Sequence, residues 1–223
     1  MCATRVAAFI DGFNLYHAID DLGRDELKWL DLRALARHFA PAPGFSLHAV
    51  CYFSAYATWL LDPYKRHRTY CAALSATGVN VVLGKFKERP RRCWRCRSQW
   101  ADHEEKESDV NIAIHMVRAA LRNECDRLLL ITRDSDLAPV VRMIRRECPE
   151  KELRVVTPVG REHSLPYFPH PSSITSKSSV YKLWNAGLST LLSHAGSIVP
   201  VTYMFPPLSA TISPYVFMAT KIF

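Results

Sequence analysis

Val6-Ala7-Ala8-Phe9-Ile10 runs into Asp11-Gly12, and the reading of this join decides the fold. Five consecutive apolar residues closed by an acid and a glycine read as a strand buried on both faces, the pattern of a parallel sheet covered by helices. An aspartate just past such a strand lies where ligands bind in open α/β sheets. Outward from the join, Leu30, Leu32, Leu35, Ala36 and Phe39 fit a helical stripe, and His48-Ala49-Val50-Cys51-Tyr52-Phe53 reads as a second strand. Pro63 opens a helix through Tyr64, His67, Tyr70, Cys71 and Leu74 that stops near Gly78, and Val79-Asn80-Val81-Val82-Leu83-Gly84 is a third strand. Val110, Ala113, Ile114, Val117 and Leu121 recur at helical spacing, which predicts an amphipathic helix with those residues as its apolar face. Residues 127–132 form a fourth strand, Pro139 to Arg146 a helix with its proline in the first turn, and residues 153–156 a fifth strand. Such alternation predicts right-handed βαβ units: an α/β, doubly wound parallel sheet of about five strands with helices on both faces.

The composition suits that reading. The chain has 223 residues, 48% hydrophobic and 22% charged, values that exclude wholesale disorder. Seven cysteines at irregular spacing in a chain of this size point to reduced thiols and a cytoplasmic location rather than a disulfide framework. The few residues before the first strand are too short for the apolar core of a secretion signal. A net charge of +8 favours an anionic partner, nucleic acid first.

The charge also divides the chain. All 21 acidic residues lie between Asp11 and Glu162, whereas residues 164–223 hold no Asp, Glu or Arg, only Lys177, Lys182 and Lys221. Half of the 14 prolines and eleven serines fall in the same stretch. The expected organisation is a catalytic-type domain over residues 1–163 and an acid-free, irregular extension over residues 164–223. From 183 to 220 no charged residue appears, but Asn185, Ser189, Ser193, His194, Gly196 and Pro200 interrupt the run of about 20 apolar residues that a membrane helix needs.

Four acids map onto one edge of the expected sheet. Asp11 follows the first strand, Asp134 and Asp136 follow the fourth, and Asp109 opens a helix after the third. Each alone reads as a helix cap or a turn residue. Together they are harder to explain structurally, because clustered carboxylates repel unless a cation sits among them. A hard divalent ion, Mg²⁺ or Mn²⁺, suits such a set and would polarise a phosphate and acidify a water. A phosphatase with a strand-end aspartate as nucleophile usually has a second acid two residues on; here that position is Phe13.

Three blocks, Phe9-Ile10-Asp11-Gly12-Phe13-Asn14-Leu15-Tyr16, Glu104-Glu105-Lys106-Glu107-Ser108-Asp109-Val110-Asn111-Ile112-Ala113 and Ile131-Thr132-Arg133-Asp134-Ser135-Asp136-Leu137, together resemble the NYN domain, a PIN-like nuclease family common in bacteria. The resemblance covers most of residues 5–163. It implies a PIN-like fold and metal-dependent cleavage of RNA phosphodiesters. It also implies catalytic roles for Asp11, Asn14, Asp109, Asp134 and Asp136, with Asp11, Asp109 and Asp134 holding the metal. Two departures stand out: Arg133 where many relatives have Gly or Asn, and Glu107 where many have Gly or another small residue. After Gly160-Arg161-Glu162-His163-Ser164 the likeness stops abruptly, the pattern that an altered reading frame or a foreign segment would give.

Residues 85–97 are the second informative stretch. They hold Lys85, Lys87, Arg89, Arg91, Arg92, Arg95 and Arg97 against one acid, Glu88, with Trp94 and Trp100 nearby, and read as an arginine-rich loop. Cations neutralise phosphates and indoles stack on unpaired bases, so Lys85, Lys87, Arg91, Arg92, Arg95 and Lys106 are the expected RNA-binding residues. The competing reading is a solvated loop. Cys93-Trp94-Arg95-Cys96 is half of a Zn²⁺ site, with His103 as a candidate third ligand and Cys2, Cys148 or another chain as the source of a fourth. Cys51, Cys71 and Cys125 fit apolar patterns and read as core thiols.

The expected function is therefore a metal-dependent endoribonuclease of the NYN type, with an inactive RNA-binding module and a structure-specific DNA nuclease as alternatives. The expected partner is RNA, and a homo-oligomer is left open.

Overall fold

The structure, a computed structural model, describes residues 3–158 apart from 22 and 24; the expectations for residues 164–223 lie outside the described residues. In chain order the elements are β1 (Thr4–Asp11), α1 (Gly12–Asp21), α2 (Leu32–His38), β2 (Phe45–Ser54), α3 (Leu61–Ala76), β3 (Asn80–Leu83), β4 (Lys85–Arg92), β5 (Gln99–Lys106), α4 (Ser108–Leu121), β6 (Arg127–Ile131), α5 (Ala138–Glu147) and β7 (Glu152–Val156). Short 3₁₀ turns at Asp25–Trp29 and Ser135–Leu137 complete the list.

Five strands pair in the order β3-β2-β1-β6-β7, every pair parallel. This is the doubly wound sheet expected from the sequence. The winding direction reverses between β1 and β6, so a crevice opens beyond their carboxyl ends. Because side chains alternate along a strand, the sheet feeds two cores. Val6, Ala8, Ile10, Val50, Tyr52, Leu129 and Ile131 pack with α1, α2 and α3. Ala7, Phe9, Phe53, Leu128 and Leu130 pack with α4 and α5. Cys51, Cys71, Cys125 and Cys148 are buried thiols within these cores.

Helix α4 forms where expected but turns a different face inward. Ile112, Met116, Ala119 and Ala120 are its buried apolar residues, whereas Val110, Ile114 and Leu121 of the expected apolar face are exposed. Ala113 and Val117 lie at the margin, partly buried against the core. The helix carries apolar side chains around most of its circumference, so periodicity alone admits two answers. The small residues Ala119 and Ala120 let the true inner face approach the sheet closely.

The arginine-rich stretch is not a loop. It is the first strand of a two-stranded antiparallel ribbon, β4 and β5, whose rungs run from Lys85 opposite Lys106 to Arg92 opposite Gln99. The ribbon leaves the sheet at Gly84, where a Cβ would lie 2.5 Å from the Lys106 carbonyl oxygen, so only glycine allows the two ribbon ends to meet. One ribbon face anchors on the domain through aromatic contacts. Phe86 meets Phe13 and Trp59 edge-to-face, and Trp59 stacks on His103 with centroids 3.6 Å apart.

Candidate active site

The last residue of β1, Asp11, is buried, and its carboxylate is held from three directions. Asn14 donates to it from its backbone N–H at 3.1 Å and from its side-chain amide, and Thr132 donates its hydroxyl to Oδ2 at 2.9 Å. The helix α1 starts immediately after, which brings Asn14 back over Asp11 within one turn. Gly12 is required at this join: a Cβ there would meet the Phe53 carbonyl oxygen at 2.5 Å and the Tyr52 ring at 2.7 Å. Burial pushes the Asp11 carboxyl up to about 6, with the charge of Asp109 adding to the rise and the bonds from Asn14 and Thr132 opposing it.

Thr132 lies at the end of β6 and is fully buried. Its hydroxyl also accepts the backbone N–H of Asp134 at 3.0 Å, and Asp134 in turn accepts the N–H of Asp136 at 2.9 Å as cap of the 3₁₀ turn. That chain of bonds fixes both acids after β6. Asp109 comes from the first turn of α4. Asp109, Asp134 and Asp136 each offer a carboxylate oxygen, and these oxygens lie within 4.8 Å of one another. Among the described residues this is the one group of three or more candidate ligands gathered so closely. Three hard oxygen donors at the mouth of the crevice, with the buried Asp11 carboxylate nearby, suit a hard divalent cation.

Residues 5–164 match the NYN domain family. The chain belongs to the NYN domain family. Its parallel five-stranded sheet flanked by helices is accordingly a PIN-like fold, and the acidic group stands at the carboxyl ends of its strands. This NYN protein is also similar to 6-hydroxy-3-succinoylpyridine 3-monooxygenase HspA of Pseudomonas putida (strain DSM 28022 / S16), at 24% identity over 195 residues, with 71% of this chain and 61% of that protein covered. The chain thus spans about three-fifths of that relative's length. The solved structure of VPA0982, a protein of unknown function from Vibrio parahaemolyticus RIMD 2210633, is 19% identical with a TM-score of 0.46, covering 70% of this chain and 82% of that one.

Of the site residues expected from sequence, the NYN fold brings Asp109, Asp134 and Asp136 into the carboxylate group and sets Asp11 and Asn14 beside it. Asp136 thus stands in the group where Asp11 was expected. Thr132 and Gly12 were not singled out as site residues. A hydroxyl two residues before Asp134 and a glycine straight after Asp11 were the available signals. Arg133 does not insert among the acids; its guanidinium reaches toward Asp21 at the end of α1, 3.9 Å away.

The ribbon cations are partly neutralised by the opposing strand. Arg91 pairs with Asp102 at 3.3 Å, Arg89 and Lys106 pair with Glu104, and Lys85 pairs with Glu107. Lys87, Arg92 and Arg95 make no ion pair among the described residues. The expected zinc set is corrected in two places. His103 is stacked on Trp59, opposite Glu88 and several rungs from the cysteines, and Cys148 is buried in the core under α5. No helix among the described residues is long and apolar enough to cross a membrane.

Proposed function

We propose that this NYN protein is a metal-dependent endoribonuclease acting in the cytoplasm on single-stranded RNA. The observation that carries the proposal is the convergence of Asp109, Asp134 and Asp136 from two chain regions, with Asp11 buried behind them. Asp109, Asp134 and Asp136 would hold Mg²⁺ or Mn²⁺, with Asp11 adding negative charge at the back of the site. The ion supplies Lewis-acid polarisation of a phosphate oxygen and a water of lowered pKa. The chain's own part is positioning. Asn14 and Thr132 fix the Asp11 carboxylate, and the 3₁₀ turn fixes Asp134 against Asp136. Lys87, Arg92 and Arg95 bind phosphates of the strand without reading its bases. Trp100 offers an exposed face on which an unpaired base stacks.

Labelled RNA incubated with Mg²⁺, Mn²⁺ or EDTA tests this, beside the Asp109→Asn protein. New ends should appear only with metal and wild-type protein, while the variant retains RNA. RNA retained in excess chelator with no new ends under any condition would make the protein a binder. Cleavage confined to DNA flaps would make it a DNA nuclease.

A further inference from the structure

The ribbon tip carries two thiols in a tightly made turn. The Cys93 N–H donates to the Ser98 carbonyl at 2.9 Å, the Arg97 N–H donates to the Cys93 carbonyl at 3.0 Å, and the backbone passes through the left-handed region at Arg97, φ 60°. A non-glycine residue held there just after a Cys-x-x-Cys folds the chain back toward the cysteines, so their neighbouring donors face sulfur. The Cys96 sulfur lies 3.1 Å from the Ser98 hydroxyl and is exposed, and Cys93 is half-buried beside it. Hydrogen bonds from the Ser98 hydroxyl and N–H, and from the Cys93 thiol, bring the Cys96 thiol down to about 7. The pair therefore presents two adjacent sulfur donors on one turn.

Two donors do not make a structural zinc site, which takes four. Among the described residues no third His, Cys, Asp or Glu gathers with the pair. Cys51, Cys71, Cys125 and Cys148 are buried in the domain cores. Cys2 lies outside the described residues. The missing ligands come from outside the described residues of this chain.

We propose that the ribbon tip is half of a zinc site, completed by Cys93 and Cys96 of a second copy of this chain. An identical pair related by a twofold axis supplies the two absent thiolates and closes the assembly at a dimer. Charge supports this occupant. Four thiolates around Zn²⁺ leave a net charge of 2−, and each tip brings Arg92, Arg95 and Arg97 beside it. Those arginines would repel one another in a metal-free contact and are offset once the dianion forms between them. Trp94, 91% exposed at the tip, supplies the apolar surface that a tip-to-tip contact covers. On binding, the four thiol protons leave to solvent, so affinity rises with pH through the thiol range.

The full-length reduced protein, purified without chelator and titrated with ZnCl₂, tests this by zinc content and by mass in sedimentation equilibrium. One zinc per two chains is expected, with a dimer that returns to monomer in excess chelator. Substitution of Co²⁺ should give the visible absorption of a tetrahedral tetrathiolate complex. Cys93→Ser and Cys96→Ser should each lose zinc and dimer together. Thermal unfolding unchanged in these variants shows that the domain is intact. One zinc per monomer, a dimer that persists in chelator, or no zinc bound would each overturn the proposal. None of these readouts involves RNA cleavage, so the proposal fails or stands independently of the nuclease reading.

Discussion

The Thr132 hydroxyl donates to Asp11 at 2.9 Å and accepts from the Asp134 N–H at 3.0 Å, joining residues 121 positions apart in sequence at the seam between β1 and β6. One buried side chain thus couples the two strand ends that carry the acids. It sets the Asp11 carboxylate and the start of the Asp134 turn with respect to each other.

Removing that hydroxyl should loosen both. Thr132→Val keeps the shape of the side chain but leaves Asp11 Oδ2 with the Asn14 amide as its remaining donor and takes the acceptor from the Asp134 N–H. A loss of about 1–3 kcal/mol in denaturant unfolding is expected. Cleavage should fall as well, and Thr132→Ser should restore both properties. A valine variant as stable and active as wild type would show that the seam does not depend on this bond.

Asp11 makes the metal-free protein sensitive to pH. Its carboxyl is raised from 3.8 to about 6, so the folded chain binds an extra proton between those values. Stability contributed by that proton is present at low pH and lost as pH rises through about 6. In EDTA, Asp11→Asn should therefore be more stable than wild type at pH 7.5, by about 3 kcal/mol, and show no such gain at pH 4. Mg²⁺ or Mn²⁺ should raise the wild-type melting temperature and shrink the difference. An equal effect of the substitution at both pH values would mean that burial does not penalise this charge.

Glu107 precedes α4 with φ 79° and ψ −20°, a left-handed conformation that glycine adopts without strain. The sequence departure at this position is thus a backbone matter. Glu107→Gly should stabilise the domain by about 1 kcal/mol in denaturant unfolding, less whatever the Lys85 ion pair contributes. Destabilisation would mean that the ion pair outweighs the strain.

The unpaired ribbon cations should set the salt dependence of RNA binding. Each phosphate contact contributes about −0.7 to the slope of log affinity against log salt for single strands. Replacing Lys87, Arg92 and Arg95 with alanine should reduce the magnitude of that slope by up to roughly 2, equally across unrelated RNA sequences. An unchanged slope would place the RNA path off the ribbon.

The sheet was legible because Val6 to Ile10 and Leu128 to Ile131 are buried on both faces and so are written as unbroken apolar runs. The acids were legible because each follows such a run or opens the helix after it. The inner face of α4 was not, since Val110 and Ile114 are as apolar as Ile112 and Met116, and only packing separates them. The ribbon was hidden for a different reason. Of its first strand only Phe86 meets the domain, so β4 has no buried stripe, and Pro90 argues against a strand except at an edge. Its signal lay across the turn, where Asp102 and Glu104 stand ready to face Arg91 and Arg89. That complementarity also explains why counting cations within residues 85–97 overstated the positive surface.

The ribbon departs at Gly84 and comes back to the same point at Lys106, with its rungs closed on themselves and none shared with the five-stranded sheet. The chain therefore makes a round trip of roughly twenty residues whose length the domain does not register. Rungs can be added or removed in pairs without shifting a single partner in β1, β2 or β6. The reach of the tip is an adjustable dimension of the molecule, free to drift while the acidic site stays fixed.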